Sequence, residues 1–297
     1  MNFLINNAFP AAGSFSTVTQ GFSAIQGVLT TGGLVRLTSA DFAALATPTA
    51  SGVVATEVYR FDDPAQASAP VFLEVGYRVF YGGATSMALG LSIRVGRGFD
   101  GAALSGALGA DRYASLAYAS SSEVFSAYVG VDAGAVLIAL RGSSGNNQFS
   151  LLVQRLADPA TGAVGMHALV AARTSTAYGG VTSESTGDWS VLCDLRLGVE
   201  TRSAVMPQSL PVPTGMGRAA DGTRMLLTGP TFGQGGRLFT LAHPGGLTVT
   251  ATSDAAPGGL DFTATLYGTQ RSFLVHPVIG VTASLTFGSG QMALRTA

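Results

Sequence analysis

Val71-Phe72-Leu73-Glu74-Val75-Gly76-Tyr77-Arg78-Val79-Phe80-Tyr81 alternates with a period of two. Val71, Leu73, Val75, Tyr77 and Val79 fall on one parity, and Glu74, Gly76 and Arg78 on the other, the pattern of a strand buried on one face. After the Gly82-Gly83 loop, Leu89, Leu91, Ile93 and Val95 repeat it, with Ser92 and Arg94 on the wet side. Two alternating runs joined through glycines predict a β-hairpin.

Further hairpins follow downstream. Val136 to Leu140 is apolar on both parities, as in a strand covered on both faces, and Gly142 to Asn147 turns the chain into Phe149 to Arg155. Between Ser190 and Glu200, Val191, Cys193, Leu195, Leu197 and Val199 oppose Asp194, Arg196 and Glu200, which predicts one strand with Cys193 as a small core residue. Leu247 to Thr252, Phe262 to Leu266 and Val281 to Phe287 each set an apolar face against a Thr/Ser face. The stretch 203–236 holds Pro207, Pro211, Pro213, Pro230 and many glycines, and reads as a linker or arm. Ser14 to Gly33, rich in Ser, Thr and Gly, reads as an arm or edge strand, and Ser39 to Leu45 as one short helix capped by Ser39. The predicted organisation is an all-β chain: an N-terminal arm or edge strand over 1–38, a large antiparallel β-sandwich over 39–202, a linker or arm over 203–236, and a small β domain over 237–297. A barrel shares the sandwich signature of short alternating strands.

Composition narrows the function. The chain has 297 residues, 47% of them hydrophobic and 11% charged, against the roughly 25% charged residues of an ordinary soluble domain. All sixteen basic residues are Arg, matched by seventeen acids for a net charge of -1, which leaves no basic surface for nucleic acid. High hydrophobicity excludes intrinsic disorder. A single Cys excludes a disulfide framework and a cysteine-built zinc site. The first ten residues have no basic residue ahead of an apolar run, which argues against a secretory signal and for synthesis in the cytoplasm. The aliphatic run Ala135 to Leu140 is far short of the ~20 residues of a membrane-spanning helix. A transmembrane barrel is harder to exclude from alternating strands but would need an export signal and aromatic girdles that the sequence does not show, and no membrane insertion is expected. So little charge favours association, so copies of the same chain and other structural proteins are the expected partners.

The residues offer little chemistry. Gly96-Arg97-Gly98-Phe99-Asp100-Gly101 matches the dinucleotide fingerprint in letters, but Gly106 and Gly109 interrupt the helix it needs, so a tight loop is the better reading. A P-loop needs Lys, and there is no Gly-x-Ser-x-Gly elbow. His167, His243 and His276 have no second ligand at short spacing, and Asp62-Asp63-Pro64 reads as a turn opener rather than a cation site. Trp189, beside Asp188, is the sole Trp; it is a conceivable sugar platform, but reads more simply as an aromatic anchoring the start of its strand. No catalytic, cofactor-binding or metal-binding residue is assigned, no cofactor is expected, and the ligand-binding residues stay unassigned.

Three segments carry a resemblance. Ala69-Pro70-Val71-Phe72-Leu73-Glu74-Val75-Gly76-Tyr77, then Ile93-Arg94-Val95-Gly96-Arg97-Gly98-Phe99-Asp100-Gly101, then Phe149-Ser150-Leu151-Leu152-Val153-Gln154-Arg155 are similar to the central domain of tail-associated virion proteins of tailed bacteriophages. The resemblance spans about residues 39–173. It implies a non-enzymatic structural protein of the phage particle, on the tail, tail tip, baseplate or neck, and hence a virion location. No functional residues carry over. The alternative is a binding module at the tail tip, directed at a host-surface receptor or glycan.

Overall fold

The computed structural model of the chain describes residues 2–10, 12–106, 112–115, 124–132, 135–142, 148–157, 164–173, 189–196, 200–204, 226–227, 231–234, 237–240, 249–252, 261–266, 269–280 and 291–295. In chain order these form β1 (Asn2–Pro10), β2 (Ala12–Gly13), α1 (Phe15–Thr31), β3 (Val35–Arg36), β4 (Gly52–Arg60), a 3-10 turn (Pro64–Ala67), β5 (Phe72–Tyr81), β6 (Met87–Gly96), β7 (Gly98–Phe99), β8 (Leu104–Ser105) and β9 (Arg112–Ser115). Then come β10 (Val124–Asp132), β11 (Ala135–Gly142), β12 (Gln148–Ala157), β13 (Val164–Arg173), β14 (Trp189–Arg196) and β15 (Glu200–Ala204). The C-terminal part holds β16 (Leu226–Leu227), β17 (Thr231–Gln234), β18 (Arg237–Thr240), β19 (Val249–Thr252), β20 (Asp261–Leu266), β21 (Thr269–Gly280) and β22 (Gln291–Arg295).

The described residues are therefore mostly strand with one α-helix, an all-β protein. Every described strand pairing is antiparallel. One sheet runs β2-β6-β5-β4-β3 with β9 also on β6, a seven-stranded sheet runs β1-β10-β11-β12-β13-β14-β15, and a third runs β16-β19-β22-β21-β20. The hairpin that decides the fold is present in register, with Leu73 opposite Val95 and Tyr77 opposite Leu91. Gly83, at φ +135°, supplies the left-handed residue in its turn. The second hairpin, β11 on β12, is present too.

A single apolar core joins Leu73, Val75 and Tyr77 of β5 and Leu89 and Leu91 of β6 to Val129 of β10, Val136 and Ile138 of β11 and Val153 of β12. Helix α1 adds Phe15, Val18, Phe22, Ile25 and Leu29 to the same core and touches strands of both large sheets.

That helix overturns the reading of 14–33 as an arm or edge strand. Its buried residues Phe15, Val18, Phe22, Ile25, Val28 and Leu29 recur every three or four positions. Ser14 is extended, and its hydroxyl accepts the Thr17 N–H at 3.4 Å as the N-cap. Burying each large apolar side chain is worth about 1.5–3 kcal/mol, more than the ~0.5–1 kcal/mol lost at each Ser, Thr or Gly in the helix. Periodicity therefore decides here, and composition misleads.

Other expectations need correction. Ser39 to Leu45 is a turn rather than a helix: the Asp41 carboxylate accepts the Ala43 N–H, its carbonyl accepts the Ala44 N–H, and Phe42 drops into the core. Ser92 is buried, not wet, because it packs beside Gly76 in the middle of the sheet with β9 on its other flank. Glu74 and Arg94, on the same face, stay partly wet, and Arg94 donates from Nε and Nη2 to the Glu74 carboxylate at 2.7 and 2.8 Å. The single strand expected over 190–200 is two antiparallel paired strands, Trp189–Arg196 and Glu200–Ala204, with Arg196 opposite Glu200. Within 203–236, Leu226–Leu227 pair with β19, and Thr231–Gln234 form a hairpin with Arg237–Thr240. In the C-terminal part, β19 and β20 fall on two of the expected strands, whereas Val281 to Phe287 lies outside the described residues.

Candidate functional site

The densest buried polar group among the described residues surrounds Glu57. Alternation along β4 puts Glu57 and Tyr59 on the core face, and Tyr77 reaches the same place from β5. All three are fully buried. Glu57 Oε2 accepts the Tyr59 hydroxyl at 2.6 Å and the Tyr77 hydroxyl at 2.8 Å. Oε1 accepts Gln26 Nε2 of α1 at 2.5 Å and the Ala40 backbone N–H at 2.9 Å. These four donors match the roughly four lone-pair positions of a carboxylate. Arg36 of β3 stands 3.9 Å from Oε1.

Aromatic packing closes the site. Phe22 of α1 and Phe42 of the 37–45 loop stack on Tyr77, with ring centroids 5.2 and 4.7 Å away, the second edge-on. Helix, loop and sheet thus meet at one carboxylate. As a chemical device, an acceptor held by four protein donors positions those donors and has no lone pair left for a ligand.

The surroundings act on the tyrosines. Burial pushes the Tyr59 phenol well above its ordinary value of 10.0, and the hydrogen bond and charge of Glu57 push in the same direction. Tyr77 rises well above 10.0 as well, through burial first and then the charges of Tyr59 and Glu57. Above pH 10 the unfolded chain releases protons that the native chain keeps, so this stability is complete below that pH and is lost as pH rises toward the folded values. An ultraviolet titration of the eight tyrosines is expected to leave at least Tyr59 and Tyr77 silent until the protein unfolds in alkali. If all eight ionise reversibly around pH 10 with the fold intact, the cluster is not closed.

The residues weighed from sequence lie elsewhere. Gly96 to Gly101 opens the small β7-β8 hairpin, where Arg97 N–H donates to the Ser105 carbonyl at 3.0 Å. The Asp100 carboxylate accepts the Ala102 and Ala103 N–H groups, both at 2.8 Å, and the Ala103 bond and then the Ala102 bond hold its carboxyl below the ordinary value. Asp63 begins the 3-10 turn with Pro64 at its first position, and Asp62 pairs with Arg60 at 2.9 Å, so this stretch is a turn. Trp189 is the first residue of β14, opposite Ala172, and Cys193 of the same strand stands opposite Ala168. His276 is in β21, and His243 lies outside the described residues. Sheet register sets His167 between Arg155 and Asp194, with Arg202 beyond Asp194, a row of four ionisable positions that sequence spacing keeps apart. Among the described residues no three His, Cys, Asp or Glu side chains gather as a metal set.

Sequence reasoning missed the Glu57 cluster. Only the Glu57/Tyr59 spacing of two was legible; Gln26, Ala40 and Tyr77 arrive from three other segments. No protein family and no curated protein matches the chain.

Proposed function

We propose that this chain is a non-enzymatic structural component of a bacteriophage particle, at the tail, tail tip, baseplate or neck, where it assembles with copies of itself and with other virion proteins. The observation that carries the reading is the Glu57 cluster. The largest buried polar group among the described residues joins helix, loop and sheet, and the four hydrogen bonds to its carboxylate all come from the protein's own donors. Such a cluster ties three elements together, which supports a structural role. The charge-poor composition supports the same role, since 11% charged residues and a net charge of -1 favour burial against neighbouring protein. The shared core supports a sandwich, with the β4-β5-β6 and β10-β11-β12 layers contributing side chains to one interior.

Mass spectrometry of purified particles tests this reading. The chain should appear at a fixed copy number relative to the major tail protein, and the isolated protein should self-associate in sedimentation. A strictly monomeric protein missing from particles would overturn the proposal.

A further inference from the structure

We infer that the free margin of β4, residues 52–56, is where two copies of this chain join, antiparallel and edge to edge, about a twofold axis. The inference rests on the self-assembling role proposed above and names its contact.

The margin is open because of the way β3 ends. β3 pairs only with Tyr59 and Arg60. The next residues cap the ladder at Val58: the Leu37 N–H donates to the Val58 carbonyl at 2.7 Å, and the Val58 N–H donates to the Thr38 hydroxyl at 2.8 Å. The chain then turns inward, giving the Ala40 N–H to Glu57 and Phe42 to the core. The backbone groups of Val58 thus face away from β5, and by strand alternation those of Thr56 face the same way. Among the described residues no strand pairs with this side of 52–56. Val53 is 43% exposed and Thr56 is exposed.

The margin has few of the usual guards. Lys, Pro or a charge on an edge strand blocks pairing, yet no charged residue stands between Asp41 and Glu57, and Gly52-Val53-Val54-Ala55-Thr56 is rich in β-branched residues. The irregularity between Val53 and Ala55 shortens the available ladder without covering it. The opposite margin of this sheet is occupied, with β2 and β9 both pairing with β6. A second copy is the fitting occupant. An antiparallel edge paired with itself is twofold and self-complementary, and an uncharged edge on a chain of net charge -1 has little to repel its own copy.

Sedimentation equilibrium of the full chain tests this, comparing wild type with Thr56→Lys, Val53→Lys and, on the exposed face of α1, Ser23→Lys. Wild type should self-associate. Each edge variant should keep the native circular dichroism and raise the dissociation constant about tenfold or more, as two like charges meet across the pairing edge, with Ser23→Lys unchanged. Association unaltered by both edge variants, or weakened equally by Ser23→Lys, overturns the edge contact and leaves self-assembly standing. A wild type that stays monomeric at every concentration overturns both.

Discussion

Glu57→Leu is expected to cost about 3–5 kcal/mol, the range for removing one partner of a buried charged group, from a total of roughly 5–15 kcal/mol. Leucine fills the space but accepts nothing. The hydroxyls of Tyr59 and Tyr77, the Gln26 amide and the Ala40 N–H would all lose the acceptor they share. Two of them can recover in part, since Gln26 also donates to the Ala40 carbonyl at 3.2 Å and a hydroxyl can rotate, so the penalties do not simply add. Glu57→Gln keeps one carbonyl oxygen and sets its amide before hydroxyls able to accept, so it should cost less, about 1–2 kcal/mol. Urea unfolding of the three proteins checks the order. If the leucine variant is as stable as the glutamine variant, the carboxylate is not what joins helix to sheet.

The second large effect falls on Gly21, with Gly27 of the same helix as its reference. At Gly27 no atom lies within 4 Å of an added methyl, so Gly27→Ala should stabilise by about 1 kcal/mol through helix propensity alone. At Gly21 the same methyl would fall on the Pro10 carbonyl oxygen and 2.6 Å from Leu89 Cδ1. One obstacle is backbone and the other belongs to a buried leucine, so α1 itself must shift. Overpacking of this kind costs about 1–3 kcal/mol and occasionally more; with two contacts this close the clash should outweigh the ~1 kcal/mol of propensity. Gly21→Ala is thus expected to destabilise by about 2 kcal/mol net. The paired denaturation midpoints should move in opposite directions, and a shift of both to higher denaturant would rule out the close approach of α1 to β1 and β6.

The sheets were legible where alternation was strong. Residues 71–96 declare a hairpin because each parity is chemically distinct, and the β5-β6 register follows that pattern residue by residue. Helix α1 was hidden by its own composition: its apolar spacing is helical, but Ser, Thr and Gly fill the positions between, and no charged residue marks either end. The 39–45 segment failed in the opposite direction. It carries helix-forming residues, yet Ala40 and Phe42 are drawn to Glu57 and Tyr77, a tertiary demand that local propensity does not contain. The candidate site was illegible for the same reason, since residues 26, 40, 57 and 77 meet only after helix, loop and two strands have packed. The His167 and Asp194 positions lie far apart in sequence and become opposite only when β13 pairs with β14.

β1 and β2 have partners that emerge from the ribosome at different times. β2 meets β6 at Met87 and Ala88, whereas β1 pairs with β10 and sets Asn2 opposite Val131. At about 5–20 residues per second of synthesis, β1 waits on the order of ten seconds for that neighbour. In that interval the nascent chain holds an unmatched strand beside a helix whose apolar stripe is only partly covered. The seam between β1 and β10 therefore closes only after the β2–β6 contact has had its partner available.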